Sequence, residues 1–267
     1  MNLQELSNLN WYHTLCLKKV GGGFEIIFDR NKADYIFEGD WCFNTESRKI
    51  IAQITDVVKG CSMLDAGTYD GFFAHLFHLA GAKVSSLDVS NHASRRELMN
   101  FAGIKDDFLH LNIYNLDTLG RKFDFVWCQD VICHLDSPLL AVKRLREICT
   151  KKIFLGVDRF TCSPIRDVHF FTEDFGLVDI NKDNNINMVA RPGNSDYVFA
   201  YPKSAIKQML IHCGFKNPKL KFSVRAEGGK IYKTVKKRVV DIYEADIDPS
   251  YIFDPIKHDL SYIITAK

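Results

Sequence analysis

From residue 45 onward the chain alternates between helical and strand-like patterns of apolar residues. Ile50, Ile51, Ile54, Val57 and Val58 recur at helical spacing over residues 45–58, which predicts a helix with one buried stripe. Apolar runs at 61–66, 82–88, 107–112, 123–129 and 151–157 predict strands, and the stretches 71–80, 92–102 and 137–149 between them predict helices. Regular alternation of this kind predicts an α/β fold, a parallel sheet with helices on both faces. Residues 1–43 precede it as an extension: a short helical start, Trp11-Tyr12-His13-Thr14, then a Gly21-Gly22-Gly23 turn between β-like runs. Residues 158–198 break the rhythm with Asp183-Asn184-Asn185 and Arg191-Pro192-Gly193-Asn194. A connection this long in a compact domain is usually functional or disordered. A helix over 203–213 stops at Gly214, a C-cap position, and is followed by a strand at 218–225 and a last strand, Ser261 to Ala266. The expected organisation is an extension (1–43) and one domain (44–267), which carries a substrate-side insert at 158–198 and a C-terminal insert at 227–258.

The end of the first strand carries the most informative chemistry. Residues 64–71 read Leu-Asp-Ala-Gly-Thr-Tyr-Asp-Gly, and Asp88 closes the next apolar run. Gly67 and Gly71 let the backbone pass close to a ligand at the carboxyl end of a strand, where open α/β sheets bind ligands. A carboxylate at the end of the second strand accepts hydrogen bonds from ribose hydroxyls. A dinucleotide fingerprint requires Gly-x-Gly-x-x-Gly, with pyrophosphate at the helix N-terminus. The spacing here is Asp65-x-Gly67-x-x-x-Gly71, and Asp70 puts an anion where pyrophosphate would sit. The ligand expected is a nucleoside without phosphates that carries positive charge, and S-adenosylmethionine, a sulfonium, meets that description.

Composition narrows the setting. A chain of 267 residues with 46% hydrophobic side chains has enough apolar mass for a full core, and its length suits one large domain. A net charge of +2 supplies no global field for nucleic acid or membrane. No run approaches the roughly 18 apolar residues of a spanning helix. The polar Met1 to Leu9 does not read as a signal peptide. Eight cysteines are scattered without a Cys-x-x-Cys pair, so no metal site is expected. A reduced, cytoplasmic protein is the default expectation.

Four segments resemble S-adenosylmethionine-dependent methyltransferases of class I, and more narrowly the short relatives of the tRNA wobble-uridine carboxymethyltransferase family. They are Trp11-Tyr12-His13-Thr14; Leu64 to Phe73; Phe123-Asp124-Phe125-Val126-Trp127-Cys128-Gln129-Asp130-Val131-Ile132-Cys133-His134-Leu135; and Tyr197-Val198-Phe199-Ala200-Tyr201-Pro202-Lys203-Ser204 with Cys213-Gly214-Phe215. The resemblance implies a Rossmann-like, seven-stranded, mostly parallel sheet with helices on both faces and its last strand antiparallel. It also implies a reaction, methyl transfer from S-adenosylmethionine. In the carboxymethylating branch a lysine, a tyrosine and an arginine hold the carboxylate of a carboxylated cofactor. The corresponding positions here are Ser47, Cys133 and Leu260. A buried carboxylate without donors is costly, so ordinary S-adenosylmethionine is expected.

The resemblance also distributes roles. Asp65, Ala66, Gly67, Gly71, Asp88 and Val89 are expected at the cofactor, with backbone carbonyls of Ala66 and Gln129 toward its ammonium group. Asn112 and Ile113 either meet the adenine or simply turn the chain after the third strand. Gln129 and Asp130 end the fourth strand under the cofactor's methionine part, and Asp130 also suits a turn or helix cap. His134 stands just past that strand, where a histidine would take the proton of an acceptor hydroxyl; a structural role is the alternative. His13 and His169 are weaker candidates for that task. Trp11 and Tyr12 either pack the extension or line a substrate lid. Arg191 either clamps an anionic substrate group or is a solvated surface residue. Two acceptor classes follow: a small molecule, sugar-like or metabolite, and tRNA, the latter favoured by the basic stretch from Lys230 to Arg238. A binding module without catalysis is the non-enzyme reading.

Overall fold

The computed structural model describes residues 3–105, 107–159, 169–170, 187–190, 197–200, 203–228 and 238–251. In chain order the elements are α1 (Leu3–Ser7), β1 (Leu15–Val20), β2 (Gly23–Ile27), β3 (Tyr35–Phe37), β4 (Trp41–Cys42), α2 (Asn44–Val58), β5 (Ser62–Ala66), α3 (Phe72–Leu79), β6 (Lys83–Asp88), α4 (Ala93–Phe101), β7 (Phe108–His110), β8 (Phe123–Gln129), α5 (Pro138–Ile148) and β9 (Cys149–Arg159). They continue with β10 (His169–Phe170), β11 (Asn187–Ala190), β12 (Tyr197–Ala200), α6 (Lys203–His212), β13 (Phe215–Gly228) and β14 (Arg238–Ile247).

The central sheet runs β4-β13-β14-β9-β8-β5-β6-β7. β5 to β9 run parallel to one another, and β14 lies antiparallel between β9 and β13. This is the Rossmann-like methyltransferase arrangement, with two corrections to the expectation. The sheet has eight strands rather than seven, because Trp41–Cys42 at the end of the N-terminal extension pairs with Glu227 and Gly228 on the sheet's edge. The antiparallel strand is residues 238–247, inside the range expected to be an insert; the expected strand at 261–266 lies outside the described residues. Acidic side chains break the apolar run of β14 but are matched in the fold. Asp241 accepts from Ser223 Oγ at 2.6 Å, and Glu244 is ringed by Lys152, Lys219 and Lys221 at 3.2–3.4 Å.

Because side chains alternate along a strand, the sheet has two apolar faces. One packs Leu64, Val126, Cys128, Ile153 and Leu155 against α5 and α6. The other packs Met63, Phe125, Trp127, Phe154 and Ile242 against α2 and α3. The extension forms a separate antiparallel sheet, β2-β1-β3, whose Leu15, Leu17 and Phe37 meet Leu6, Trp11 and Leu98 of α4. Trp11 is 4% exposed and its indole donates to the Leu6 carbonyl at 3.0 Å, so the structure takes the packing alternative for it. Within the 158–198 segment and just beyond, β10, β11 and β12 form a small antiparallel sheet, where the sequence suggested a loop.

Candidate cofactor and active site

Three strands end side by side on one edge. Ala66 of β5 is level with Leu87 of β6 and Cys128 of β8, and Gln129 is level with Gly156 of β9. The chain then turns sharply after β5. Gly67, Tyr69 and Gly71 all have positive φ, at 79°, 47° and 78°. The amides of Gly67 and Thr68 both donate to the Leu87 carbonyl, at 2.8 and 3.0 Å, which folds the turn over β6. A Cβ on Gly67 would collide with Val131 Cγ2. Gly71 begins α3 in the left-handed conformation. Tyr69 adopts that conformation with a full side chain, a costly state that persists only where the surroundings hold it.

Asp88 closes β6 beside this turn. Its Oδ2 accepts from the Tyr69 amide at 2.9 Å and its Oδ1 from the Ser90 amide at 3.0 Å. Each carboxylate oxygen has a further lone-pair site for a ligand hydroxyl. Val89 next to it is 57% exposed, and its carbonyl receives His110 Nε2 at 2.8 Å. Asn112 caps a 3-10 helix, Ile113–Leu119, by accepting from the Tyr114 amide at 3.0 Å, while Ile113 is buried. Asn112 therefore has a structural task, and its exposed amide edge stays open to a ligand.

Two buried acceptors stand out under the turn. Asp65 Oδ2 and Gln129 Oε1 have no hydrogen-bond partner among the described residues. Burial pushes the Asp65 carboxyl up to about 7, although Thr68, His13 and the Ala74 amide pull it down. Gln129 Nε2 donates to Asp130 Oδ2 at 3.1 Å, and Asp130 has a positive φ of 56°. Unpartnered buried acceptors are costly in the bare protein.

His134 is exposed at the end of the short 3-10 helix Ile132–His134. β12, at the end of the 158–198 segment, runs beside this helix. His169 is in β10, paired with Met188 of β11; Arg191 and most of the basic stretch at 230–238 lie outside the described residues. Cys133 is buried, with its thiol on the Asp130 carbonyl at 3.4 Å, and Ser47 is bound into α2 through the Phe43 carbonyl at 2.9 Å. Leu260 lies outside the described residues.

His13 and Tyr12 reach the turn in a way the sequence did not show. Asp70 is fully buried, and all its recorded donors are local or from the extension: the amides of Tyr12 (3.0 Å) and His13 (2.6 Å), His13 Nδ1 (2.7 Å) and the Phe72 amide (3.3 Å). Its carboxylate is thus held inward by four N–H donors. The His13 ring is buried among Phe43, Phe72 and Phe73. Tyr12, Tyr69 and His92 form a run of neighbouring rings, at 5.1 Å and 4.0 Å between centroids.

The comparisons with known proteins agree with this fold. Among solved structures, 1,6-didemethyltoxoflavin-N1-methyltransferase of Burkholderia thailandensis, with bound 1,6-didemethyltoxoflavin and S-adenosylhomocysteine, is 16% identical, with a TM-score of 0.51 over 76% of this chain and 78% of that one. An S-adenosylmethionine-dependent methyltransferase of Clostridium acetobutylicum is 15% identical, with a TM-score of 0.50 over 77% and 92%. No curated protein matches the sequence. The family model described as a methyltransferase domain matches residues 43–217, from just after β4 to the start of β13. The chain belongs to the methyltransferase-domain family.

Proposed function

We propose that the protein transfers a methyl group from S-adenosylmethionine to an oxygen or nitrogen atom of a small, sugar-like or metabolite acceptor. The observation that carries this reading is the set of acceptors on one sheet edge: Asp88 beside exposed Val89, and the orphaned Asp65 Oδ2 and Gln129 Oε1. Two ribose hydroxyls and an ammonium group need acceptors of these kinds. Asp88 would hold the ribose, Val89, Asn112 and Ile113 the adenine, and Asp65, Ala66, Gln129 and Asp130 the amino-acid end, over the Gly67–Gly71 turn. When bound, the cofactor supplies a methyl group activated by its sulfonium.

The chain's own contribution is mostly positioning. His134, exposed beside β12, takes the proton from an acceptor hydroxyl. Tyr12 and the insert, with His169 and Arg191, frame the acceptor and limit water above the sheet edge. Buried Cys133 and Ser47 offer no cation for a carboxylated cofactor, which favours plain methyl transfer. Among the described residues no helix is long and apolar enough to cross a membrane. The second reading, a tRNA-modifying enzyme, is supported by the basic stretch from Lys230 to Arg238.

The test is a labelling experiment. Protein and methyl-labelled S-adenosylmethionine are incubated with a metabolite extract and, separately, with total tRNA. Label in the small-molecule fraction supports the proposal. Label in tRNA alone, with binding that weakens steeply as salt rises, replaces it with the second reading. Binding without transfer to either pool favours the non-catalytic module.

A further inference from the structure

We propose that His13 is a positioning residue of the cofactor site, acting through Asp70, and that the N-terminal segment 11–14 is therefore part of that site. The inference rests on the cofactor reading above. A carboxylate only accepts, so His13 Nδ1 carries the proton in its 2.7 Å contact with Asp70 Oδ1. Asp70 sits between Tyr69, with φ 47°, and Gly71, with φ 78°. Fixing its side chain fixes the left-handed backbone on either side, strained at Tyr69 and accommodated by glycine at 71. The Tyr69 amide in turn holds Asp88 Oδ2 at 2.9 Å. Two hydrogen bonds, joined through the backbone between Asp70 and Tyr69, thus link the His13 ring to the carboxylate proposed to hold the ribose.

The anchor at the other end of this link is rigid. Trp41 N–H donates to the Tyr12 carbonyl at 2.9 Å and the Thr14 amide to the Trp41 carbonyl at 2.8 Å, and Trp41 belongs to β4 on the main sheet. Gly39 lies so close behind that a Cβ there would strike the His13 carbonyl carbon. Segment 11–14 is wedged between the sheet's edge strand and the glycine turn. The His13 ring, enclosed by Phe43, Phe72 and Phe73, transmits that wedge to Asp70. Its enclosure suits a positioning role better than proton exchange with an acceptor.

The test compares S-adenosylhomocysteine binding by calorimetry with hydrogen exchange at the turn amides. His13→Leu removes the donor and is expected to weaken binding by roughly ten- to a hundredfold, with faster exchange at the Tyr69 amide. His13→Asn keeps an N–H near the Nδ1 position and is expected to recover most of the affinity. Leu210→Ala, a core truncation in α6, controls for stability alone: it lowers Tm and leaves affinity unchanged. The proposal is overturned if His13→Leu binds within twofold of wild type, or if His13→Asn is no better than His13→Leu. Absence of binding by the wild type would instead overturn the cofactor reading.

Discussion

Gly156 on β9 faces Gln129 on β8 so closely that a Cβ at Gly156 would stand 2.6 Å from Gln129 Cγ and 2.9 Å from Gln129 Cβ. The absence of a side chain on one strand sets the position of the side chain on the next. Gly156→Ala is expected to displace the Gln129 amide and to cost about 1–3 kcal/mol of stability, the usual penalty of overpacking. Affinity for S-adenosylhomocysteine is expected to fall as well. Thermal unfolding and calorimetry on the same variant check both; unchanged affinity would remove Gln129 from the cofactor site.

Asp65 gives the site a pH dependence with a definite sign. Burial pushes its carboxyl up to about 7 in the fold, well above the usual carboxylate range. A raised carboxyl stabilises the fold fully below the unfolded value, and that contribution is lost as pH rises through the folded value. The ligand-free protein should therefore lose stability between about pH 4 and 7, and Asp65→Asn should flatten that profile. A ligand ammonium favours the ionised carboxylate. Affinity for S-adenosylhomocysteine should then decline as pH falls below about 7, with proton release on binding. Calorimetry in buffers of different ionisation enthalpy measures this; no proton release near pH 6 would contradict it.

His134 is the residue proposed to carry the proton-transfer step. With the labelled acceptor fraction as substrate, His134→Ala is expected to lower kcat by about a hundredfold or more. Affinity for S-adenosylhomocysteine should stay nearly intact. Full turnover in this variant would make His134 structural.

Gly67 is constrained twice, by its φ of 79° and by Val131 Cγ2. Gly67→Ala is expected to cost at least about 1 kcal/mol from the backbone alone. Adding Val131→Ala relieves the collision but leaves the backbone penalty, so the double variant should recover only part of the lost Tm. Full recovery would show that strain at the turn is negligible.

What the sequence revealed and what it hid follow from the range of the interactions. Gly67, Gly71 and Asp88 were legible because turn geometry and strand ends leave local signatures. The parallel strands β8 and β9 were legible from the apolar runs Phe125 to Cys128 and Ile153 to Val157, the mark of strands buried on both faces. β14 was not, because Asp241, Glu244 and Asp246 interrupt its pattern, and their partners lie on other strands. The Asp70–His13 contact joins residues 57 apart in sequence, so no local pattern announces it. The clue available was the pairing of a buried-type Trp-Tyr-His segment with an acidic residue inside a glycine turn. Trp11 read as core packing or as a lid residue, and the Leu6 carbonyl that its indole meets is a partner no local pattern announces.

The central claim is that this sheet edge is an S-adenosylmethionine site with Asp88 on the ribose. Calorimetric titration of S-adenosylhomocysteine into wild type and Asp88→Ala tests it most directly. The account predicts one-to-one binding by the wild type and a loss of roughly ten- to a hundredfold in the variant, the worth of a buried charged hydrogen bond. It also predicts no comparable binding of a nicotinamide dinucleotide. Equal affinity in the two proteins, or preference for the dinucleotide, would contradict it.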